Sequence, residues 1–160
     1  TYARGKIPDE KLKKVTKDKY IEINDYIEKI ERTKETRLFS SVVRGVSSVS
    51  RDHLIKVAFN DEFVTPCVAG RKFIIVSETG DVYPCEILDQ KIGNIKDENY
   101  NLKKILKNNE SKRMQKWIKE TKCKCTFECA SAASIVWNYK NYPKIAKSSI
   151  KSFFRDNKTV

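Results

Sequence analysis

The sequence has no uninterrupted run of about 18 apolar residues and no recognisable signal peptide. It therefore predicts no membrane span, and without a secretory signal the expected location is the cytoplasm. Internal repeats and low-complexity segments are absent as well. The 160 residues, 39% of them hydrophobic and 10% aromatic, suffice for one domain with a buried core, or for one domain plus a piece of another.

The common catalytic signatures are missing too. Histidine occurs once, at His53, and there is no Ser/His/Asp arrangement, no phosphate-cradling glycine loop and no paired-carboxylate signature. Ordinary hydrolase chemistry is therefore not expected. His53 stands near the start of a short amphipathic segment, residues 52–59, and is interpreted as a surface residue rather than as a metal ligand.

The chain opens at Thr1 without an initiator methionine, which predicts that it is the C-terminal fragment of a longer protein. Its formal net charge is +12. Lysine and glutamate are interleaved through most of the chain, a pattern typical of a solvated surface, so nucleic acid is not an expected partner. An acidic substrate held by the positive field remains an alternative.

Five cysteines stand out against these absences: Cys67, Cys85, Cys123, Cys125 and Cys129. Their number is odd, the last three lie within seven residues, and no secretory signal is present, so a disulfide framework is not expected. Four thiolates gathered from two distant segments are what a tetrahedral zinc ion or a 4Fe–4S cluster requires. The spacing alone does not decide between an iron–sulfur cluster and a zinc ion. Zinc sites usually use two Cys-x-x-Cys knuckles, and neither Cys67 with Cys85 nor the cysteines of segment 123–129 have that spacing.

A predicted β-hairpin explains how two distant cysteines meet. The β-branched and aromatic residues of segment 72–77 indicate a strand, Thr79 and Gly80 form the turn, and segment 81–85 returns. Glycine at position 80 permits the reversal of direction. We expect the hairpin to bring Cys67 and Cys85 close together.

The remaining pattern predicts mostly helices. Residues 1–15 are predicted to be a loop and residues 38–51, rich in Ser, Val and Gly, a linker or crossover. Thr16 can cap a helix whose apolar stripe is interpreted as core packing. The stripe consists of Tyr20, Ile23, Ile27 and Ile30. Short helices are expected around Leu102–Leu106 and Met114–Ile118, another after Cys129, and an amphipathic helix docking back on the body in the basic tail, residues 138–160.

Four segments together resemble a known family. The spacing Cys67-x12-Gly80-x4-Cys85 is similar to the opening signature of SPASM and twitch domains, the auxiliary-cluster domains at the C-terminus of many radical S-adenosylmethionine (SAM) enzymes. The segments that agree are 67–70 (CVAG), 80–86 (GDVYPCE), 92–95 (IGNI) and 123–129 (CKCTFEC). The resemblance covers roughly residues 60–135. The front of the chain also resembles the last part of a radical SAM barrel.

The resemblance implies an α+β fold: a small β-hairpin and helices around a cysteine-ligated cluster, preceded by a remnant of a radical SAM partial barrel. It divides the chain into residues 1–50 (barrel end and linker), 51–137 (auxiliary cluster domain) and 138–160 (basic tail). It implies one 4Fe–4S cluster, because the full SPASM pattern of seven cysteines and two clusters is not met. By position Cys67 and Cys85 are the hairpin ligands, Cys129 is the distal ligand, and either Cys123 or Cys125 is the fourth, which leaves one cysteine free.

The parent enzyme would supply the rest of the chemistry. The sequence has no Cys-x3-Cys-x2-Cys motif, so this chain itself should not cleave S-adenosylmethionine, and the SAM site with its own 4Fe–4S cluster is expected upstream of Thr1. The implied partners are a peptide, protein or small-molecule substrate and an electron donor such as ferredoxin or flavodoxin. In the family, auxiliary clusters serve electron transfer, substrate positioning or structure.

Two alternatives remain beside the auxiliary-cluster hypothesis. One is a structural zinc module that mediates a protein or nucleic-acid interaction. The other is an interaction domain with free cysteines and no metal, which would fold fully in the presence of a chelator.

Overall fold

The computed structural model describes residues 15–33 and 39–156. Within them lie six α-helices, three short strands and one turn of 3₁₀ helix. In chain order they are α1 (Lys17–Thr33), α2 (Ser40–Asn60), β1 (Ile75–Val76), β2 (Asp81–Tyr83), β3 (Gly93–Asn94), α3 (Leu102–Lys107), α4 (Asn109–Glu120), α5 (Glu128–Val136), the 3₁₀ turn (Tyr139–Asn141) and α6 (Tyr142–Asp156). The chain is α+β, as predicted.

The strands form an antiparallel sheet in the order β1-β2-β3. Ile75 pairs with Tyr83, and Val82 pairs with both Val76 and Gly93. Gly80 takes a φ of +91° at the turn and donates a backbone hydrogen bond of 2.9 Å to Ser77. The predicted hairpin is thus confirmed, with strands shorter than the apolar segments suggested.

A compact core lies between this sheet and the two helices that follow it. The side chains of Val82, Ile92 and Ile105 are fully or almost fully buried there, together with Met114 and Ile118 of α4. Asn108 joins the pieces, because its side-chain amide donates to Ile92 O at 2.7 Å while its oxygen accepts from Ser111 N at the start of α4. We call residues 67–127, which contain this core and four of the cysteines, the cysteine body.

The other region is the helical layer, formed by α2, α5 and α6. Helices α2 and α6 approach each other closely at Gly45 of α2, where an added Cβ would lie 2.9 Å from Ser149 N and 3.0 Å from Ile145 O of α6. Arg44 reinforces the same pair of helices by donating to Ser152 Oγ at 2.9 Å. The predicted amphipathic tail helix is confirmed in α6, which docks on α2 through these contacts.

Of the linker or crossover predicted over residues 38–51, the linker is wrong, because residues 40–51 belong to α2. Serine, valine and glycine are weak helix formers, but the small side chains let α2 approach α6 closely, and this tertiary contact outweighs their propensity. The predicted boundary between residues 50 and 51 falls inside α2. The division of the chain into domains remains a prediction.

Helix α1 begins as predicted after Thr16, whose Oγ1 accepts from Lys19 N at 3.3 Å. Its apolar stripe was expected to pack in the core, and this expectation is wrong for Ile23, Ile27 and Ile30, which are 43%, 45% and 41% exposed. Tyr20 alone of the stripe reaches an aromatic neighbour, Phe59, with ring centroids 6.0 Å apart. The helical periodicity predicted which face of α1 is apolar, but it did not predict whether other residues pack against that face.

The loop predicted over residues 1–15 lies, apart from Val15, outside the described residues. Among the residues that the structure does describe, no helix combines the length and apolarity needed to cross a membrane.

Candidate metal centre

Four cysteines, of which Cys85 is buried and the other three are half-buried, come from the ends of the hairpin and the segment after α4. Cys67 precedes β1 and Cys85 follows β2, while Cys123 and Cys125 lie in the irregular segment between α4 and α5. Cys67 and Cys123 pack against the apolar core that contains Cys85. Cys67, Cys85 and Cys123 therefore meet at one apolar core.

The turn that ends α4 sets the position of Cys123. Lys122 adopts the left-handed conformation, with a φ of +49°. The amide of Cys123 donates to Ile118 O at 3.0 Å and that of Lys122 donates to Lys119 O at 3.3 Å. These two bonds are those of a Schellman motif, which commonly packs the residue after the left-handed one against the last turn of the helix. The motif turns the chain so that Cys123 faces the core.

Cys67 and Cys123 line the same small cavity and pack on the same apolar core. A hydrogen bond between the two thiols is the main cause that lowers the pKa of Cys67 to about 6, with Ala69 N–H and Arg71 also lowering it. The same interaction and burial raise the pKa of Cys123. Metal ligands bind as thiolates, so a bound metal would release the thiol protons of this pair.

Cys85 and Cys125 complete a group of four sulfurs. Cys85 is 5% exposed, and its Sγ accepts from Leu88 N at 3.4 Å. Burial raises the pKa of Cys125, and negative charge on Cys67 and Cys85 raises it further. Cys123 likewise responds to charge on Cys85 and Cys125. Cys125 lines the same small cavity as Cys67 and Cys123, and those two pack on the core around Cys85, so the four thiols lie at the junction of the hairpin and the 123–125 segment.

Cys129 is placed differently. It is exposed in the first turn of α5 and lines an open cavity of about 520 Å³, which it shares with Cys125, Val57 and Ile87. Cys125 also borders the small cavity beside Cys67 and Cys123, so it stands between the two spaces. The predicted ligand set of four among Cys67, Cys85, Cys123, Cys125 and Cys129 remains a prediction.

Two observations bear on what could be held there. Within residues 15–33 and 39–156, no three His, Cys, Asp or Glu side chains are arranged to hold one metal ion. The donor set itself is all thiol, which is the ligand type of iron–sulfur clusters and of structural zinc. In a 4Fe–4S cluster the irons are spread over a cube, so its cysteines need not converge on a single point. The donors present fit a cluster held by thiolates.

The small cavity beside the cysteines measures about 10 Å³ and is lined by His53, Thr65, Cys67, Cys123, Lys124, Cys125, Ala130, Ser131 and Ser134. It is close to the lower limit of space for one water. Any larger group must be accommodated by movement of the irregular segment, or by the neighbouring space at Cys125 and Cys129. Lys124 restrains that segment, since its Nζ pairs with Asp61 Oδ1 at 2.8 Å and also donates to Asp61 O.

His53 is the residue that the sequence interpretation missed. It was taken for a surface residue, but it is 6% exposed, and its Nδ1 is buried without a hydrogen-bond partner. Burial also lowers its pKa, so the imidazole is neutral near pH 7. A signal was present: Val49 and Val57 flank it at intervals of four, which puts all three on one face of α2. An unpaired buried polar group costs about 1–3 kcal/mol, so its retention calls for a reason.

Comparison with known proteins gives one match. Neither a curated protein nor a solved structure matches this chain. The predicted resemblance is confirmed in its SPASM part, whereas the radical SAM parent remains a prediction. The matched range begins at Cys67, ends at Ala130 and contains all five cysteines. Residues 67–130 of this chain match SPASM, an iron–sulfur cluster-binding domain.

Proposed function

We propose that this chain holds one 4Fe–4S cluster and serves as the auxiliary-cluster region of a radical SAM enzyme. The observation that carries the proposal is the convergence of thiols within the SPASM match: Cys67 and Cys123 pack on the core around Cys85, and Cys125 lines the same small cavity as Cys67 and Cys123. No other described part of the chain combines several thiols with irregular backbone able to adjust around a bound group. The parent enzyme is supported by the family resemblance of the sequence.

The resemblance names Cys67, Cys85 and Cys129 as ligands, with either Cys123 or Cys125 as the fourth. The geometry favours Cys67, Cys85, Cys123 and Cys125, because Cys67 and Cys123 pack on the core around Cys85 and Cys125 lines the same small cavity as both of them. Cys129 is exposed at the 520 Å³ cavity, which offers more room. Single substitutions at positions 123, 125 and 129 separate the alternatives.

When bound, such a cluster supplies one-electron transfer to or from a substrate radical, or a fixed point for positioning the substrate. The chain's own residues would shield it: the apolar core covers the side of Cys85, and α5 covers the side of Cys67, where Ser134 Oγ accepts a hydrogen bond from Val68 N. We further propose a peptide, protein or small-molecule substrate and an electron donor such as ferredoxin or flavodoxin. Cleavage of S-adenosylmethionine is not proposed for these residues, since they contain no Cys-x3-Cys-x2-Cys motif.

The test is the iron and acid-labile sulfide content after anaerobic reconstitution. About four of each per chain, with broad absorbance near about 400 nm, is the result expected for one 4Fe–4S cluster. Cys85→Ala should lose most of the iron, and unchanged iron in that variant would contradict the ligand set. Of Cys123→Ser, Cys125→Ser and Cys129→Ser, the variant that keeps the wild-type iron content identifies the free cysteine.

A structural zinc ion is the second candidate. It is favoured by the three thiols that line one small cavity, Cys67, Cys123 and Cys125, because thiolates that share one zinc ion lie close together. Stoichiometric zinc without sulfide, in protein purified anaerobically and never exposed to added metal, would support this candidate against the cluster.

A further inference from the structure

The imidazole of His53 borders the same small cavity as the sulfurs of Cys67, Cys123 and Cys125. It comes from α2, in the helical layer, whereas the cysteines belong to the cysteine body. His53 is only 6% exposed, and its Nδ1 is shielded from solvent and has no hydrogen-bond partner in the protein. Buried polar atoms normally have a hydrogen-bond partner, and a sulfur atom of a bound cluster would supply one for this nitrogen.

We propose that His53 donates a hydrogen bond from Nδ1–H to a sulfur of the bound cluster and thereby raises its reduction potential. This inference rests on the proposed function. A neutral imidazole has one N–H donor and one acceptor nitrogen, and cluster sulfur, both inorganic sulfide and ligand thiolate, is an acceptor. Reduction adds negative charge to those sulfurs, so the bond is stronger in the reduced state and favours the added electron.

The remaining lining of the cavity leaves this role to His53. Lys124 is held by Asp61 through its Nζ. Ser134 Oγ–H donates to Ala130 O at 2.7 Å, and Ser131 Oγ–H donates to Cys125 O at 3.3 Å. Among the residues that line the cavity, His53 alone carries a buried side-chain nitrogen or oxygen without a partner.

The experiment compares reconstituted wild-type protein with three variants by redox titration. His53→Leu removes the donor, His53→Asn retains an N–H near the same place, and Ser50→Ala is the matched control. Ser50 is the other buried unpaired polar group found among the described residues; it lies on α2 but does not line the cysteine cavity. We expect about a tenfold smaller equilibrium constant for reduction in His53→Leu, which corresponds to about 59 mV for one electron. The potential should be restored in large part by His53→Asn and unchanged in Ser50→Ala.

A second readout does not depend on a variant that folds. Because the chain has a single histidine, labelling with [15N]histidine marks His53 alone. Pulsed EPR of the reduced wild-type cluster should show a weak 15N coupling, as a hydrogen bond gives. No coupling, or an unshifted potential in His53→Leu, overturns the inference. A strong coupling together with iron loss in His53→Leu also overturns it, since His53 would then be a ligand. Wild-type protein that binds no iron and sulfide would instead refute the proposed function.

Discussion

The cysteine body and the helical layer are built on opposite principles. In the helical layer, α2 runs for 21 residues and α6 for 15, and their backbones come almost into contact at Gly45. In the cysteine body the strands are two or three residues long, and the segment from Lys122 to Phe127 has no regular structure. One region is held by extended helix packing and the other by a few buried side chains around its thiols.

The difference shows where a bound group contributes to stability. Strands this short cannot stabilise a sheet by themselves, so the cysteine body depends on its core and on whatever its thiolates hold. The helical layer has long elements that need no such support. The following predictions test this contrast, beginning with the largest expected effect.

Removal of the cluster should affect the two regions unequally. We expect amide hydrogen exchange at Cys123 and at Val68, whose amide donates to Ser134 Oγ at 3.2 Å, to accelerate by roughly 1,000-fold, about 4.1 kcal/mol. Exchange in the middle of α2 should change little. The measurement is exchange followed by mass spectrometry, with and without a chelator under anaerobic conditions. Equal acceleration in both regions would show that they unfold as one unit.

Ile105→Ala should destabilise the cysteine body strongly. Ile105 is fully buried, and its Cγ2 packs so closely on Gly93 that a Cβ there would lie 2.9 Å away. The cavity left behind should lower the free energy of unfolding by about 2–5 kcal/mol. The matched control is Ile150→Ala, at a side chain that is 57% exposed in α6, where urea titration should show a change within about 0.5 kcal/mol.

Gly45→Ala should weaken the helical layer. The added methyl would lie 2.9 Å from Ser149 N and 3.0 Å from Ile145 O, and backbone atoms cannot rotate away as a side chain can. We expect a net loss of about 1–3 kcal/mol in the free energy of unfolding, despite the better helix propensity of alanine. Val43→Ala, at an exposed position on the same helix, is the control. A stabilised Gly45→Ala protein would mean that α2 and α6 separate without cost.

Lys122→Gly has the smallest expected effect and the opposite sign. Lysine in the left-handed conformation is strained, whereas glycine is not, so the variant should gain up to about 1 kcal/mol in the free energy of unfolding. Lys119→Gly, three residues earlier in the regular part of α4, should lose about 1 kcal/mol. Destabilisation of both variants would show that the side chain of Lys122 matters more than its backbone.

The sequence predicted the parts of the fold that depend on local chemistry. The turn at Gly80, the strands on either side of it and the start of α1 at Thr16 follow from backbone preferences of neighbouring residues. Helix α2 was missed because its stability comes from contact with α6, about 100 positions away in the chain. The exposure of Ile23 and Ile27 was missed because periodicity does not show what packs against a face.

The candidate site was predicted in its residue types but not in its arrangement. Cysteine spacing and the hairpin were sufficient to group Cys67 with Cys85. The contact between Cys67 and Cys123 depends on the left-handed turn at Lys122, and lysine gives no signal for such a turn. The burial of His53 depends on helices that the sequence did not place around it.

The ion pair between Lys124 and Asp61 has a consequence for dissecting the protein. Asp61 ends α2, and Lys124 reaches its carboxylate and carbonyl from 63 positions later. Ser134 and Asn141 make similar connections to Val68 and Thr65. The family match begins at Cys67, but because of these contacts we expect a piece that folds independently to begin earlier, at the start of α2, and to extend through α6. A fragment trimmed to the matched range would lose both the partner of Lys124 and one wall of the cavity beside the cysteines.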